Sequence, residues 1–328
     1  MNATTPILEI AGLSVSFATP RGPVRALRDV SLVVPRDRVV GIVGESGCGK
    51  TTLISSILRL LAPNATVDAG SIRFEGDDVL AMGNTALQHL RGGRAAMVFQ
   101  DPMSALNPVV SIARQMIDIQ FRNGAPKAEK RARAVAMLRR VGIPDPEERI
   151  DGYAHRFSGG MRQRIAIAMA LLMNPALLIA DEPTTALDVT LEAQIVRLIR
   201  DIKRDLAGSI LFVSHNLGLI AELCDEVVVM YAGEVVERGD VRQIFHAPRH
   251  PYTRLLLACD PARIPESGGA GAALPTIKGG LPDLAALPSS CIFAPRCPDA
   301  EARCLHGAPA MVDLGAGHAA RCVRAGND

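Results

Sequence analysis

Alternating apolar and polar residues near the start of the chain predict two antiparallel strands. The segments LEIAGLSVSF and RALRDVSLVV, residues 8–17 and 25–34, have the period of two that a half-buried strand requires. The run RVVGIVG, residues 38–44, is almost uncharged and rich in β-branched residues, which is typical of a strand buried on both faces. A glycine-rich turn follows it, and the spacing of TTLISSILRLL, residues 51–61, then predicts a helix.

The middle of the chain alternates helical and buried-strand patterns. Most of residues 100–173 is helical in pattern, including an amphipathic helix at 127–143 that places Ala134, Leu138 and Val141 on one face. The runs ALLIAD and SILFVSH have the pattern of buried strands, and the helix pattern LEAQIVRLIRDIK separates them. This strand–helix–strand order predicts an α/β fold with a parallel core sheet.

Composition narrows the classes of protein to consider. The 328 residues carry 36 Lys plus Arg against 34 Asp plus Glu, so a nucleic-acid coat or a polybasic membrane tether is not expected. Apolar residues make up 48%, which excludes general disorder. The longest apolar run, 165–180, is interrupted by Asn174 and Pro175 and is shorter than the ~20 residues of a membrane span. With no secretory signal visible, we expect a cytosolic protein or one held at a membrane by partners.

The character of the chain changes after Cys259. Residues 261–290 are rich in Pro, Gly, Ala and Ser, which predicts a linker with little regular structure. Four of the seven cysteines follow it, at Cys291, Cys297, Cys304 and Cys322. An odd number of cysteines in a long chain without an export signal argues against a disulfide scaffold.

The sequence GESGCGKT, residues 44–51, fits the phosphate-binding pattern G-x-x-x-x-G-K-[ST] between a predicted strand and a predicted helix. Glycines allow the backbone to direct its amides at phosphate oxygens, and the helix N-terminus adds partial positive charge. Lys50 is expected to reach the β- and γ-phosphates, and the hydroxyl of Thr51 to ligate Mg²⁺. The predicted phosphate-binding residues are Gly44, Glu45, Ser46, Gly47, Cys48, Gly49, Lys50, Thr51 and Thr52.

Two further segments add to this chemistry. In LLIADEP, Asp181 closes a buried strand where it can hold Mg²⁺ through water, and Glu182 can polarise an attacking water. In FSGGMRQR, Ser158 is a good N-cap. Gly159 and Gly160 have no side chains to cover the backbone amides at the start of the apolar helix that follows. The glycine-rich loop already binds the phosphates of one nucleotide. This second anion-binding helix N-terminus therefore suggests that the segment contacts a nucleotide bound to a partner chain.

Together these segments resemble the ATP-binding subunits of ABC transporters, over nearly the whole chain. FSGGMRQR is similar to the family signature, although Phe157 and Met161 replace a leucine and a glutamine of its common form. Gln100 resembles the Q-loop glutamine, Asp188 in TTALD the D-loop aspartate, and His215 in LFVSHN the switch histidine.

Four more specific segments resemble importers of the dipeptide, oligopeptide and nickel group. They are FQDPMSALNP at 99–108, the FSGGMRQR form of the signature at 157–164, HPYT at 250–253 and the cysteine-bearing tail. The resemblance implies an ABC-type nucleotide-binding domain over 1–258, with a parallel core sheet, an antiparallel β subdomain and a helical subdomain at about 101–165. A linker and a small cysteine-rich extension then occupy 259–328.

The resemblance also implies how the residues work. Two ATPase chains would form a head-to-tail sandwich in which Ser158, Gly159 and Gly160 face the partner's nucleotide. Glu182 would be the general base, His215 would contact the γ-phosphate, and Lys50 and Gln100 would complete the catalytic set. The Mg²⁺ ligands would be Thr51, Gln100 and Asp181.

The implied partners are a second ATPase chain, which is a paralogue or another copy, two membrane permeases and, indirectly, an extracytoplasmic solute-binding protein. Nucleic acid is not expected as a partner. The implied location is the cytoplasmic face of a prokaryotic membrane, bound peripherally. The solute remains open among dipeptides, longer peptides and nickel. A soluble ABC ATPase acting on nucleic acid or the ribosome is the alternative, but the coiled-coil insertion or second cassette usual in that class is missing from the sequence.

Other nucleotide-binding classes fit less well. A GTPase would need an N-K-x-D guanine-reading motif, which the sequence lacks. A P-loop kinase would not need the SGG segment at 158–160 before a helix. For adenine, the family places an aromatic residue before the phosphate loop, and Phe17 is the sole candidate. The competing interpretation is that Phe17 simply packs within its sheet.

The four tail cysteines are spaced C-x5-C-x6-C-x17-C, without the C-x-x-C pair of a zinc ribbon or a common ferredoxin spacing. The spacing leaves three interpretations open: an iron–sulfur cluster, a zinc site that recruits His306 or His318, or free thiols. The family resemblance favours a [4Fe–4S] cluster with a structural role.

Cys48 lies inside the phosphate-binding loop and allows two hypotheses. It is either a small residue that fits a tight loop, or a reactive thiolate whose pKa is depressed by Lys50 and by the helix N-terminus.

Overall fold

The structure is a computed structural model that describes residues 5–184, 189–205, 208–260 and 275–326. The strands in chain order are β1 (Leu8–Thr19), β2 (Gly22–Val34), β3 (Val39–Val43), β4 (Ala65–Phe74), β5 (Asp77–Asp78), β6 (Ala95–Val98), β7 (Leu177–Asp181), β8 (Ser209–Val213), β9 (Glu226–Tyr231), β10 (Glu234–Asp240), β11 (Val312–Asp313) and β12 (Ala319–Ala320). The helices are α1 (Lys50–Ile57), α2 (Asn84–His89), α3 (Pro102–Ala105), α4 (Ile112–Asp118), α5 (Lys127–Arg140), α6 (Pro146–Arg149), α7 (Gly159–Leu172), α8 (Val189–Asp205), α9 (Leu217–Leu223), α10 (Val241–His246) and α11 (Pro251–Ala258).

The chain folds as two compact units, the first formed by Met1–Ile7, Pro35–Val39 and Ala81–Val213. Strands β6, β7 and β8 pair in parallel in this unit, with β7 in the centre. All five positions of β7 and of β8 are buried, which explains their uninterrupted apolar sequence. The predicted parallel strands and the helix α8 between them are therefore confirmed.

The helices of the first unit share an apolar core. Its members come from α4, α5, α7 and the segments that join them, and they include Met116, Leu138 and Ile165. On α5, Ala134 and Leu138 are buried while most other positions are charged, as the amphipathic pattern predicts. Helix α7 begins at a serine N-cap and buries most of its length.

The second unit comprises Leu8–Val34, Val40–Leu80 and Ser214–Asp328. Strands β1 and β2 pair antiparallel, as predicted, and β4 and β5 extend that sheet on the other side of β1. Strand β3 pairs in parallel with β9, and β10 pairs antiparallel with β9. The short strands β11 and β12 of the tail continue this sheet from β10. The sequence analysis had not identified β9, β10, β11 or β12.

The linker prediction is testable only in part, because its residues 261–274 lie outside the described residues. Residues 275–290 contain no helix or strand, in agreement with the prediction. Among the helices that the structure describes, none is both long and apolar enough to cross a membrane.

Candidate functional site

The glycine-rich loop connects β3 to α1 with a backbone that needs glycine at two positions. Gly44 has a φ of +155°, and a Cβ there would lie 2.2 Å from the carbonyl oxygen of Met230. Gly49 has a φ of +102°, and a Cβ there would lie 2.8 Å from the carbonyl oxygen of Ala26. Because a side chain at either position would collide with backbone, the sequence G-x-x-x-x-G is a steric requirement of this loop.

Lys50 is the first residue of α1 and is buried beneath the loop. Its Nζ donates to the carbonyl oxygens of Gly44 at 2.8 Å and of Glu45 at 3.2 Å. Thr51, the next residue, is exposed, and Thr52 is half-buried. The ammonium group is thus held against the loop beside a helix N-terminus, an arrangement suited to receive an anion.

The burial of Cys48 decides between the two hypotheses that the sequence allowed for this residue. The side chain is fully buried, and the loss of solvent raises the pKa of its thiol more than the nearby Lys50 ammonium lowers it. The hypothesis of a reactive thiolate is therefore wrong, because it counted neighbouring charge without burial. The Sγ atom occupies a tight space, since a Cβ on Gly44 would lie only 2.7 Å from it. The packing hypothesis is the one that the structure supports.

This burial predicts slow chemical modification. With an uncharged thiol reagent on the native protein, Cys48 is expected to label at least ~10-fold more slowly than the half-buried Cys259. Peptide mapping by mass spectrometry measures both rates in one sample, and denatured protein provides the control in which the two rates converge. Faster labelling of Cys48 than of Cys259 would restore the thiolate hypothesis.

Gln100, Asp181 and Glu182 lie at one edge of the parallel strands of the first unit. Val98, the last residue of β6, is paired with Ala180 of β7. Gln100 lies two residues beyond β6, while Asp181 ends β7 and Glu182 directly follows it. Gln100 is exposed and Asp181 is buried. Carboxyl ends of parallel strands are the usual place for a ligand site in such a sheet.

The backbone at Glu182 is unusual for a residue with a side chain. Its φ is +44°, in the left-handed region, and its N–H donates to the carbonyl oxygen of Val213 at 2.9 Å. Non-glycine residues adopt this conformation at a cost of order 1–3 kcal/mol and cluster at functional sites. The half-buried Glu182 thus lies in a strained turn directly after β7.

Ser158 caps α7, accepting a hydrogen bond from the Met161 N–H at 3.3 Å. Ser158 and Gly159 are exposed, Gly160 is buried, and the neighbouring Phe157 packs into the apolar core. The Phe157 side chain therefore anchors the segment while its polar start remains accessible to an anion.

Two further predicted residues, His215 and Phe17, both lie in the second unit. His215 is exposed, two residues after β8. Phe17 is half-buried on β1, opposite Val24 of β2 and Ala65 of β4. Asp188 lies outside the described residues.

The loop residue Glu45 makes two contacts that the sequence analysis missed. The two terminal nitrogens of the Arg296 guanidinium donate to its carboxylate, at 2.8 and 3.0 Å, and this pairing raises the pKa of Arg296. The Glu45 N–H donates to the hydroxyl of Tyr252 at 3.0 Å. Tyr252 belongs to the HPYT segment, and Arg296 directly precedes Cys297. The segment was recognised from the sequence, but no local pattern in it indicates a partner 207 residues away.

An aromatic cluster joins the HPYT segment to the tail. The rings of Tyr231, Tyr252 and Phe293 lie 4.7–5.4 Å apart, and Arg296 stacks 5.7 Å from the Tyr231 ring centre. His250 is buried beside Phe293, and its Nδ1 accepts the Tyr252 N–H at 3.0 Å. Burial lowers the pKa of His250 to about 3, so this ring is neutral at physiological pH.

The four tail cysteines line one small pocket together with His250 and Phe293. Burial raises the pKa of Cys291, Cys322 and Cys297, the last to about 11. Among the described residues, which include all four cysteines, no group of three His, Cys, Asp or Glu side chains is arranged to hold a metal ion. His318, considered as a zinc ligand, instead contacts the buried carboxylate of Glu237 at 2.8 Å.

Comparison with family profiles gives two matches. The profile described as ABC transporter matches residues 27–185. The profile described as the C-terminal region of oligopeptide/dipeptide transporters matches residues 236–304. The first range contains the glycine-rich loop and the signature segment, and the second contains HPYT and three of the tail cysteines.

Relatives match over almost the whole chain. A Brucella melitensis protein that carries the name peptide import ATP-binding protein is 45% identical over 97% of this chain and 95% of its own length. A Brucella ovis protein of the same name is 46% identical over 97% of both chains.

Solved structures match the fold. A component of the cbiONQ ABC transporter complex of Clostridium perfringens is 29% identical, covering 74% of this chain and 92% of its own, with a TM-score of 0.63. The ATP-binding cassette MJ0796 is 23% identical, covering 72% of this chain and 99% of its own, with a TM-score of 0.64. The α/β fold predicted from the sequence is confirmed.

Proposed function

The chain belongs to the ATP-binding proteins of ABC transporters, and we propose that it hydrolyses ATP to power peptide import through partner membrane permeases. The observation that carries this proposal is the glycine-rich loop with Lys50 buried beneath it, in a chain 45% identical to proteins named for peptide import. The nucleic-acid alternative gains no support from the comparisons. ATP and Mg²⁺ are the cofactors of this family.

The proposed residue roles are those that the family resemblance implies. Lys50 and the loop amides bind the phosphates, and Thr51, Gln100 and Asp181 provide oxygen ligands of the kind that Mg²⁺ prefers. Glu182 accepts a proton from the attacking water, and His215 steadies the γ-phosphate. The loop of one chain works with the exposed Ser158 and Gly159 of a second ATPase chain.

In the proposed assembly, this chain is bound peripherally at the cytoplasmic face of the membrane. The other members of the assembly are two permeases and, indirectly, a solute-binding protein outside the cell. Residues 1–258 carry the ATPase machinery, including a helical subdomain at about 101–165, and residues 259–328 form the extension.

Reconstitution tests this function directly. We expect vesicles that contain this chain, a second ATPase chain, two partner permeases and the solute-binding protein to support ATP-dependent uptake of labelled di- or oligopeptides. The same vesicles with the non-hydrolysable analogue AMP-PNP are the control. Uptake of Ni²⁺ without any uptake of peptides would overturn the peptide assignment while leaving the ATPase assignment intact.

The pocket lined by Cys291, Cys297, Cys304 and Cys322 fits an iron–sulfur cluster in its donor set, which is four thiols. We propose that these four cysteines hold a [4Fe–4S] cluster with a structural role, because such a cluster takes four thiolates and all four thiols line the same pocket. Since burial raises the pKa of Cys291, Cys297 and Cys322, loading of the cluster would release protons.

Colour and iron content test the cluster. Anaerobically purified protein is expected to be brown, with about four irons per chain. Cys297→Ser should lose the visible absorbance, and Cys259→Ser, outside the pocket, should retain it. Stoichiometric zinc without iron would replace the cluster by a zinc site.

A further inference from the structure

A segment of the extension lies along the candidate nucleotide site within the second unit. The Cδ1 atom of Leu281 lies 3.5 Å from the position that a Cβ on Gly47 would occupy. Three residues later, the carbonyl oxygen of Leu284 accepts a hydrogen bond from the N–H of Arg25 at 3.2 Å. The segment therefore passes close to the glycine-rich loop and is hydrogen-bonded to β2.

These two points of close approach correspond to the two ends of the proposed nucleotide. Gly47 belongs to the loop that would bind the phosphates. Arg25 is next to Val24, which is paired with Phe17, the residue proposed to stack on adenine. A nucleotide that reaches from Phe17 to the loop would therefore run beside Leu281 and Leu284.

One buried side chain ties this segment to the loop. Arg296 is only 6% exposed and donates to the carbonyl oxygens of Lys278 at 2.9 Å and Ile277 at 3.2 Å. The same guanidinium holds the Glu45 carboxylate with two hydrogen bonds and contacts the Tyr231 hydroxyl at 3.3 Å. Bidentate pairs of this kind fix geometry as well as adding energy.

We propose that the extension is a working part of the nucleotide site: residues 281–284 form one wall of it, and Arg296 is a positioning residue that acts through Glu45. The proposal rests on the proposed ATP site. Arg296 holds residues 277–278, which lead into the wall, and the loop in one arrangement before ATP arrives, so that binding does not have to order them. Its contribution is therefore expected in nucleotide affinity.

A double-mutant cycle on the full chain tests the pair. We expect Arg296→Met and Glu45→Gln each to weaken binding of fluorescent Mg–ADP about 10-fold, and the double variant to lose little more, because both changes remove one interaction. Arg303→Met is the matched control, since Arg303 pairs with Glu301 within the extension and is exposed. The positioning role of Arg296 would be overturned if Arg296→Met bound Mg–ADP as tightly as the unmodified protein. It would also be overturned if the losses of the two single variants were fully additive in the double variant.

Leucine variants test the wall even where the arginine variants fail to fold. Leu281→Ala is expected to weaken Mg–ADP binding several-fold, whereas Leu287→Ala, a half-buried leucine of the same segment, should leave it unchanged. Tighter binding of Mg–ADP by Leu281→Ala would mean that the segment blocks the site. Unchanged binding would mean that the segment is not a wall of the site. Either result overturns the proposal. If the unmodified protein bound no nucleotide at all, the proposed function itself would fail.

Discussion

Replacing Glu182 by glutamine is expected to reduce steady-state ATP hydrolysis at least ~100-fold in the assembled transporter, with nearly unchanged ATP affinity. The amide has the size and shape of the carboxylate, so the turn after β7 and its hydrogen bond to Val213 remain. It cannot accept a proton from water, however, and general-base catalysis contributes about 10²–10⁴-fold in enzymes. Binding survives because the phosphates are held by the glycine-rich loop and Lys50.

Two measurements separate catalysis from binding in this variant. Phosphate release gives the hydrolysis rate, and equilibrium titration with Mg–ATP gives the affinity. Glu148→Gln, which changes an exposed carboxylate on α6, is the matched control and should retain full activity. Near-normal turnover by Glu182→Gln would show that another group takes the proton.

Lys50→Ala is expected to weaken ATP binding itself, by about 10–100-fold. Hydrogen bonds to charged groups contribute roughly 1.5–3 kcal/mol, which corresponds to that loss in affinity. The change also removes the ammonium that bridges the carbonyl oxygens of Gly44 and Glu45, so the empty loop should become less ordered. Both effects act before any chemistry, unlike the effect of Glu182→Gln.

Equilibrium binding of Mg–ATP and thermal unfolding, each with and without nucleotide, check this prediction. The unmodified protein should gain stability on adding ATP, and Lys50→Ala should gain little at the same concentration. Lys127→Ala, at the exposed start of α5, serves as the matched control. Normal ATP affinity in Lys50→Ala would exclude the phosphate-binding role of the loop.

The elements that the sequence predicts correctly are those whose physical cause is local. Strands β7 and β8 are buried at every position, so their apolar runs identify them without knowledge of the fold. The loop from 44 to 51 is recognisable because glycine is required where backbone approaches backbone at Gly44 and Gly49. The serine that caps α7 is likewise a local signal.

The features that the sequence does not reveal depend on distant partners. Glu45 and Arg296 are 251 residues apart, and neither has a neighbour that indicates the other. Strands β11 and β12 are two residues long and too short to show a period. The thiol of Cys48 was misjudged because its neighbours in sequence argue for a low pKa, whereas its burial comes from the folded surroundings.

The pairing of β12 with β10 has a consequence for any shortened form of this protein. Without the tail, a chain ending at 258 would expose the hydrogen-bonding edge of β10, and free strand edges invite association between molecules. Glu237, which is fully buried, would also lose the His318 contact, one of the contacts that neutralise its buried carboxylate together with the N–H groups of Arg249 and His250. A chain truncated at residue 258 is therefore expected to aggregate. In the full chain, β12 of the tail prevents this by pairing with the edge of β10.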